Sequence, residues 1–492
     1  MNTVHQDYKG SITLYLSISL ALILSLLCYT IHSCHLDAVI CRAEGVSYIS
    51  VDSLLSMYCR PLLEKYGLFA LNEQGLDLEL TLKIYAEKNC ETPGTLLSST
   101  GSLLDINPKS SSIDSCTYLT DDDGQIFADQ VCEYVKYMEI DNSINALLDL
   151  SKTDIPKIFP QTESGSADIN FGNLDKTYIV EFIGADHERT AETSEDLSDI
   201  DSKSFLSSIT TNITHYIKNA LLVCLVSDPT SVSTATIEKI VLPSVTCQLS
   251  NDGVNASYGY YEDVSATTYE KAAFCEYVYH TFGNYTSPNS ETPLQYQMEY
   301  VISGQDSDDA NLINTACQLI TLRTGLNLIH LISDSDKFNA AWAIASSASH
   351  IPGVPIVIQA TILTIWATAE AVLDVRDLLK GKKVPLVKNS NQWNLSIKNL
   401  LNFSAGTSSK NDGTSGLTYS RYLQMLLATQ NQISLRYRTL DLIQMDICEQ
   451  YHEDFRISKC VTGIEGKLVY TLPSILSSKK YTYSSLFNFA YN

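Results

Sequence analysis

The apolar run from Ser11 to Ile31, SITLYLSISLALILSLLCYTI, contains no charged residue. About 21 residues at a helical rise of 1.5 Å reach about 30 Å, the thickness of a bilayer's hydrocarbon core. A membrane-crossing helix is predicted there. Beyond it, Leu36, Val39, Ile40, Ile49, Leu54, Leu55 and Tyr58 form a broken stripe of helical spacing, and no proline precedes Pro61. The pattern extends the helix to about Tyr58 and ends or kinks it at Arg60-Pro61, because a residue before proline avoids the α region. On such a helix Cys34, Cys41 and Cys59 fall within about 20° of one another, a candidate packing or inter-chain stripe.

The rest of the chain alternates between helical and extended patterns. Leu76 to Asn89 fits either a strand or a helix. Ser102 to Thr120 is expected to be extended and to close on the turn Asp121-Asp122-Asp123-Gly124, with a helix over Ile126 to Ile140. Helices are predicted over 204–226, 268–281, 308–332, 337–347 (capped by Ser335 or Asp336) and 351–379. The last is apolar, but Gln359 and Glu370 interrupt it too early for a second span, and it reads as a buried helix. Leu417 to Met445 reads as one long helix. Phe455 to Thr462 and Lys467 to Leu472 read as a hairpin turning at Gly463 to Gly466, and Tyr481 to Tyr491 as a further extended segment.

These elements predict an α+β protein: a transmembrane helix extended into a long helix, a mostly helical ectodomain with small β elements, and a C-terminal β segment. The expected divisions are a cytoplasmic flank (1–10), the membrane helix (11–33), a helix extension with a first α+β unit (34–150), an acidic mobile linker (151–203), a helical head (204–445) and the β segment (446–492). The linker is placed by composition, since Glu181 to Lys203 holds eight acidic residues against two basic ones.

Composition changes this picture little. The net charge of -23 argues against nucleic acid, which requires a basic surface. The 13 cysteines include no C-x-x-C spacing. Cys90/Cys116, Cys224/Cys247 and Cys448/Cys460 are the nearest pairs in sequence, and disulfides are permitted outside the cell. The flank before the apolar run is only weakly positive, which with a short N-terminus favours a cytoplasmic N-terminus and an extracellular C-terminal domain. His32-Ser33-Cys34-His35 sets ligand types one helical turn apart at the membrane edge, and Asp186-His187-Glu188 lies in the acidic linker. Neither is assigned a metal. No P-loop, H-E-x-x-H or G-x-S-x-G pattern occurs, so no catalytic residue or cofactor is assigned. Glu370 and Asp374, an acidic i,i+4 pair beside Trp366 and Arg376, read as paired charges at the surface or core edge.

The N-terminal pattern GSITLYLSISLALILSLLC…RAEGVSYISVDSLLSMYCRPLLEKYGLFAL resembles the TadE/TadG-like membrane proteins encoded with Flp (Tad, type IVc) pili, most closely their large Gram-positive branch. Three further blocks are similar to it: ALLVCLVSDPTSVSTATIEKIVLPS, EYVISGQDSDDANLINTACQLITLRTGLNLIHLI with WATAEAVLDVRDLLKGKKVPLVK, and GLTYSRYLQMLLATQNQISLRYRTLDLIQMDI. The resemblance implies a single-pass cell-surface protein of pilus assembly that acts by helix packing and protein contacts and is not an enzyme. It implies other pilus proteins, the membrane and further copies through the N-terminal helix as partners. Lys9-Gly10 before the apolar run resembles a prepilin leader, with cleavage between Gly10 and Ser11; Tyr15 stands where the smaller pseudopilins carry Glu, closer to TadG-type anchors. Two other starts remain open: an uncleaved anchor, or a lipoprotein modified at Cys34 within Ile31-His32-Ser33-Cys34. The functional alternatives are a membrane-tethered cell-wall hydrolase and a pilus-independent adhesin.

Overall fold

The structure, a computed structural model, describes residues 9–90, 104–136, 189–190, 192–194, 197, 200–219, 221–237, 242–244, 268–475 and 480–491. Cys247 of the Cys224/Cys247 pair, the Asp186-His187-Glu188 triplet, the end of the helix predicted to Ile140 and most of the acidic linker lie outside these residues. The chain is α+β, mostly helical with a small antiparallel sheet. It forms two compact units. One is discontinuous, Met1–Asp121 with Arg456–Asn492; the other is Asp122–Phe455. The C-terminal strands, expected as a segment of their own, therefore belong to the N-terminal unit.

In the first unit, α1 (Lys9–Leu55) is one continuous helix. It stops at Leu55, short of Tyr58. Pro61 does not merely end it: Pro61 sits in the first turn of α2 (Arg60–Tyr66), where its missing N–H costs nothing, and Gly67 closes α2 in a left-handed conformation (φ 69°). After β1 (Leu71–Asn72) comes α3 (Leu78–Cys90). Burial settles its type. Leu78, Leu82 and Ala86 face inward while Leu80 and Ile84 are exposed, a period of four rather than two, and Asp77 accepts from the Leu80 N–H at 2.9 Å.

The sheet is built around β3 (Cys460–Leu472). β2 (Asn107–Tyr118) runs antiparallel to it from Asn107 opposite Thr471 to Tyr118 opposite Val461. β4 (Tyr481–Ala490) runs antiparallel on the other side, from Tyr481 opposite Leu472 to Ala490 opposite Gly463, and β1 pairs at Val461. The expected hairpin through Gly463 to Gly466 is thus one straight strand. The glycines are there for space. A Cβ at Gly466 would stand 2.2 Å from the Ser112 carbonyl oxygen and 2.9 Å from the Phe487 ring; one at Gly463 would stand 3.2 Å from Ala490 Cβ. Close approach, not turning, explains them. The core lies between the sheet and two helices: Val39, Ala43, Val46 and Leu54 of α1 with Leu82 of α3 meet Val461, Ile464, Leu468 and Tyr470.

The second unit opens with α4 (Asp121–Val135), whose first turn is left-handed at Asp122, Asp123 and Gly124 (φ 52°, 54° and 73°). Its other helices are α5 (Ser202–Asn219), α6 (Leu221–Leu225), α7 (Thr268–Thr281), α8 (Gln297–Ser303), α9 (Asp308–Ser333), α10 (Ser335–Ala348), α11 (Val354–Leu379), α12 (Tyr419–Thr429) and α13 (Gln432–Gln450). α9 and α11 lie antiparallel: Arg323 meets Asp374 while Asn327 reaches the Ala367 carbonyl. Asp334, not Ser335 or Asp336, caps α10. The single helix expected over Leu417 to Met445 breaks at Gln430-Asn431, where the Asn431 side chain accepts from the Ser434 N–H and starts α13 afresh. The described end of the acidic linker is pinned, contrary to its expected mobility. The Arg189 guanidinium lies over Phe338 and Trp342, 5.6 and 5.5 Å from the ring centres, and the Ser194 N–H donates to Asp336 at 2.7 Å.

Candidate functional site

α1 has two halves of opposite character. From Leu14 to Ile31 its large apolar side chains are exposed, Tyr15 by 75% and Leu22 by 65%. From Gly10 to Leu36 the helix carries no Asp, Glu, Lys or Arg. Four of its aliphatic hydroxyls are spent internally: Ser17, Ser19, Ser25 and Thr30 donate to carbonyls three or four residues back at 2.8, 2.8, 2.8 and 2.9 Å. These four hydroxyls therefore offer lipid no unsatisfied donor, as a hydrocarbon environment favours. α1 is long and apolar enough to cross a membrane. α11 passes the same test of length and composition, but it is buried over most of its length as a core helix.

The second half of α1 buries one face, and it follows the course of β4. His32 lies 6.2 Å from Tyr481 (ring centres), Tyr483 donates to Glu44 at 2.6 Å, Tyr48 meets Phe489 edge-on at 5.0 Å, and the Tyr491 hydroxyl donates to the Leu55 carbonyl. Glu44 holds the Tyr483 hydroxyl protonated, pushed up to about 12. These tyrosines escaped sequence reasoning, although their spacing at 481, 483 and 491, on one face of a strand, was a signal.

The predicted site residues separate. Gly10 and Ser11 lie in the first turn of α1. Cys34 and Cys41 are exposed on it, but Cys59 is half-buried in the cap before α2, so the three do not form one stripe. The reason is the early end of α1 at Leu55. No disulfide joins the described cysteines. His32 and His35 stack with ring centres 6.5 Å apart, and among the described residues no group of three or more His, Cys, Asp or Glu is placed to hold a metal.

The Glu370/Asp374 pair is not at the surface or the core edge. Both residues are buried, and two distant cations neutralise them: Lys388 contacts Glu370 and, at 2.5 Å, Asp374, while Arg323 reaches Asp374 at 2.8 Å. Glu370 also accepts from the Asn394 and Leu395 N–H groups at 3.0 and 3.1 Å, tying the loop after α11 to that helix. A second set of buried acids sits around α8 and α13. Burial pushes Glu299 up to about 7, against the hydrogen bonds it accepts from the Tyr285 N–H and the Tyr419 hydroxyl. Burial likewise pushes Asp441 up to about 6, although it accepts from the Ser244 N–H and the Tyr300 hydroxyl. Asp308, at the start of α9, is raised by burial and accepts from Ser233, Gln295 and Tyr296. These acids fasten loops onto helices inside the second unit.

Among known proteins, no curated protein and no solved structure matches the chain. One family model does, over residues 201–472, from the start of α5 to the end of β3. That span exceeds half of the chain, which therefore belongs to DUF5702, a family of unknown function.

Proposed function

We propose that the chain is a single-pass membrane-anchored protein of pilus assembly, of the TadE/TadG-like kind, with its N-terminus cytoplasmic and both folded units outside. One observation carries the reading: α1 is a single helix whose first half is uncharged and exposed and whose second half is built into the core of a folded unit. A rigid helix shared between lipid and domain fixes the domain at the membrane surface and leaves its apolar half available to neighbouring helices. The mechanism is mechanical, acting through helix packing and protein contacts, and the resemblance of the N-terminal sequence points to the Tad/Flp system.

The N-terminus of the native protein, read by intact mass from the membrane fraction, tests this. A chain starting at Ser11 makes it a processed subunit; one starting at Met1 makes it a permanent anchor of the assembly. A lipid-modified start at Cys34 would remove the anchor helix and overturn the proposal. Equal surface display in cells lacking the pilus would favour a pilus-independent adhesin instead.

A further inference from the structure

The two edges of the sheet are treated differently. The β2 edge is guarded. Its register with β3 shifts three times, it carries Pro108 and Lys109, and α3 covers it: Glu79 accepts from the Ile113 N–H at 2.9 Å and the Ser111 hydroxyl at 2.7 Å. Bulges, prolines, charges and covering helices are the devices that keep an edge from pairing. β4 has no bulge, proline or charge, and the α1 contacts to it come from the odd-numbered residues Tyr481, Tyr483 and Phe489 with Tyr491 beyond its end. Its ten residues, YTYSSLFNFA, contain no charge and no proline and keep one unbroken register with β3.

The direction of its open groups follows from that register. The Tyr491 N–H donates to the Thr462 carbonyl, so odd-numbered residues of β4 bond towards β3. The N–H and C=O groups of Thr482, Ser484, Leu486, Asn488 and Ala490 therefore point outward along the edge, and Leu486 is 78% exposed. Among the described residues β4 pairs with β3 alone. Beside this edge runs an open groove of about 400 Å3, walled on one side by Glu44 and Tyr48 of α1 and on the other by Tyr483, Phe487 and Phe489. A helix lying alongside an open strand edge is the geometry that receives an added strand: backbone bonds give affinity, and alternate side chains enter the groove.

We propose that β4 and the α1 groove bind an extended segment of another protein as an added strand, with apolar side chains over Tyr48 and Phe489 and a lysine or arginine facing Glu44. Charge selects that chemistry, because Glu44 is the one acidic or basic residue among the groove's lining residues. Charge and orientation select another protein over a second copy: β4 itself carries no lysine or arginine to face Glu44 in either pairing sense. α1 and β4 run in the same direction, so antiparallel pairing of β4 with its own copy would point the two α1 helices in opposite directions, which one membrane does not accommodate. That step rests on the membrane reading of α1; the rest stands on the first unit alone.

The test uses the full chain in detergent micelles and a fluorescein-labelled peptide of about ten residues, alternating threonine and valine with a central lysine. Saturable binding by anisotropy is expected. Methylating alternate peptide nitrogens should weaken it at least about tenfold, and Leu486→Pro, which removes an outward N–H without touching the β3 ladder, should abolish it. Glu44→Lys should reverse the preference between this peptide and one with a central glutamate. No saturable binding, or binding indifferent to N-methylation, overturns the proposal; the methylated peptide keeps the test valid whatever Leu486→Pro does to folding. A dimer by sedimentation that Leu486→Pro disperses would assign the edge to a second copy and overturn it too. The anchor reading is judged separately, by the native N-terminus.

Discussion

Ser47 and Tyr470 share a hydrogen bond of 2.9 Å across 423 positions of sequence. It joins the buried half of the N-terminal helix to the central strand of the sheet, in a site where both groups are closed to water. Ser47 also donates to the Ala43 carbonyl at 2.9 Å, so it is not left orphaned when the tyrosine hydroxyl goes. Tyr470→Phe should therefore cost only about 1 kcal/mol. Leu468→Ala, which opens a cavity in the same core, should cost about 2–5 kcal/mol. Chemical denaturation of the two variants side by side checks the ordering.

Gly466→Ala should be far worse than its size suggests. The added methyl meets the Ser112 carbonyl oxygen, a backbone atom that cannot turn aside. We expect a loss of about 2 kcal/mol or more, against a smaller effect for Gly463→Ala. Thermal melts that rank the two the other way would contradict the single continuous strand.

Lys388→Met should destabilise the second unit by about 3–5 kcal/mol, since it strips Glu370 of its cation while leaving the carboxylate buried. Adding Glu370→Gln should recover part of that loss. Equal stability of the single and double variants would mean that the two residues are not coupled.

The pH dependence has a defined sign. Glu299, with its ordinary value near 4.5, is raised to about 7 by burial, with the nearby charge of Asp308 adding to the shift. Between those values the folded state holds a proton that the unfolded state has lost, so this group's stabilisation is full below about 4.5 and disappears as the pH rises through 7. Asp441 acts in the same sense up to about 6. The span for Glu299 corresponds to an order of 3 kcal/mol. The difference in unfolding free energy between wild type and Glu299→Gln, followed from pH 4.5 to 8, should show that slope; a flat difference would refute it.

The anchor predicts a labelling pattern. In intact membranes a bilayer-impermeant maleimide should modify Cys41 but not Cys28, which lies within the apolar half of α1. Detergent should expose both. Labelling of Cys28 in sealed vesicles would place that half outside the lipid.

How much of this was legible follows from where the determining contacts lie. α1, α9 and α11 were readable because each is specified by its own period of apolar residues. The uninterrupted apolar half of α1 was readable for the same reason, since its run of residues needs no partner to declare itself. β3 was not. Gly463 and Gly466 look like a turn unless one knows that Ser112 and Phe487 press from either side. The Glu370/Asp374 pair looked like surface charge because its cations, Arg323 and Lys388, come from another helix and a later loop. Cys59 joined the wrong stripe for a local reason: Pro61 was read as a helix terminator when it also opens α2.

The order of synthesis gives the first unit a peculiar history. α1 leaves the ribosome long before β3, which covers Val39, Ala43 and Val46 and begins only at Cys460. At about 5–20 residues per second that interval lasts some tens of seconds. Throughout it the apolar face of α1 is made but uncovered, and the whole second unit has time to form first. The first unit is thus closed late, by β3 and β4, and a chain interrupted before Cys460 leaves α1 with its core face still open.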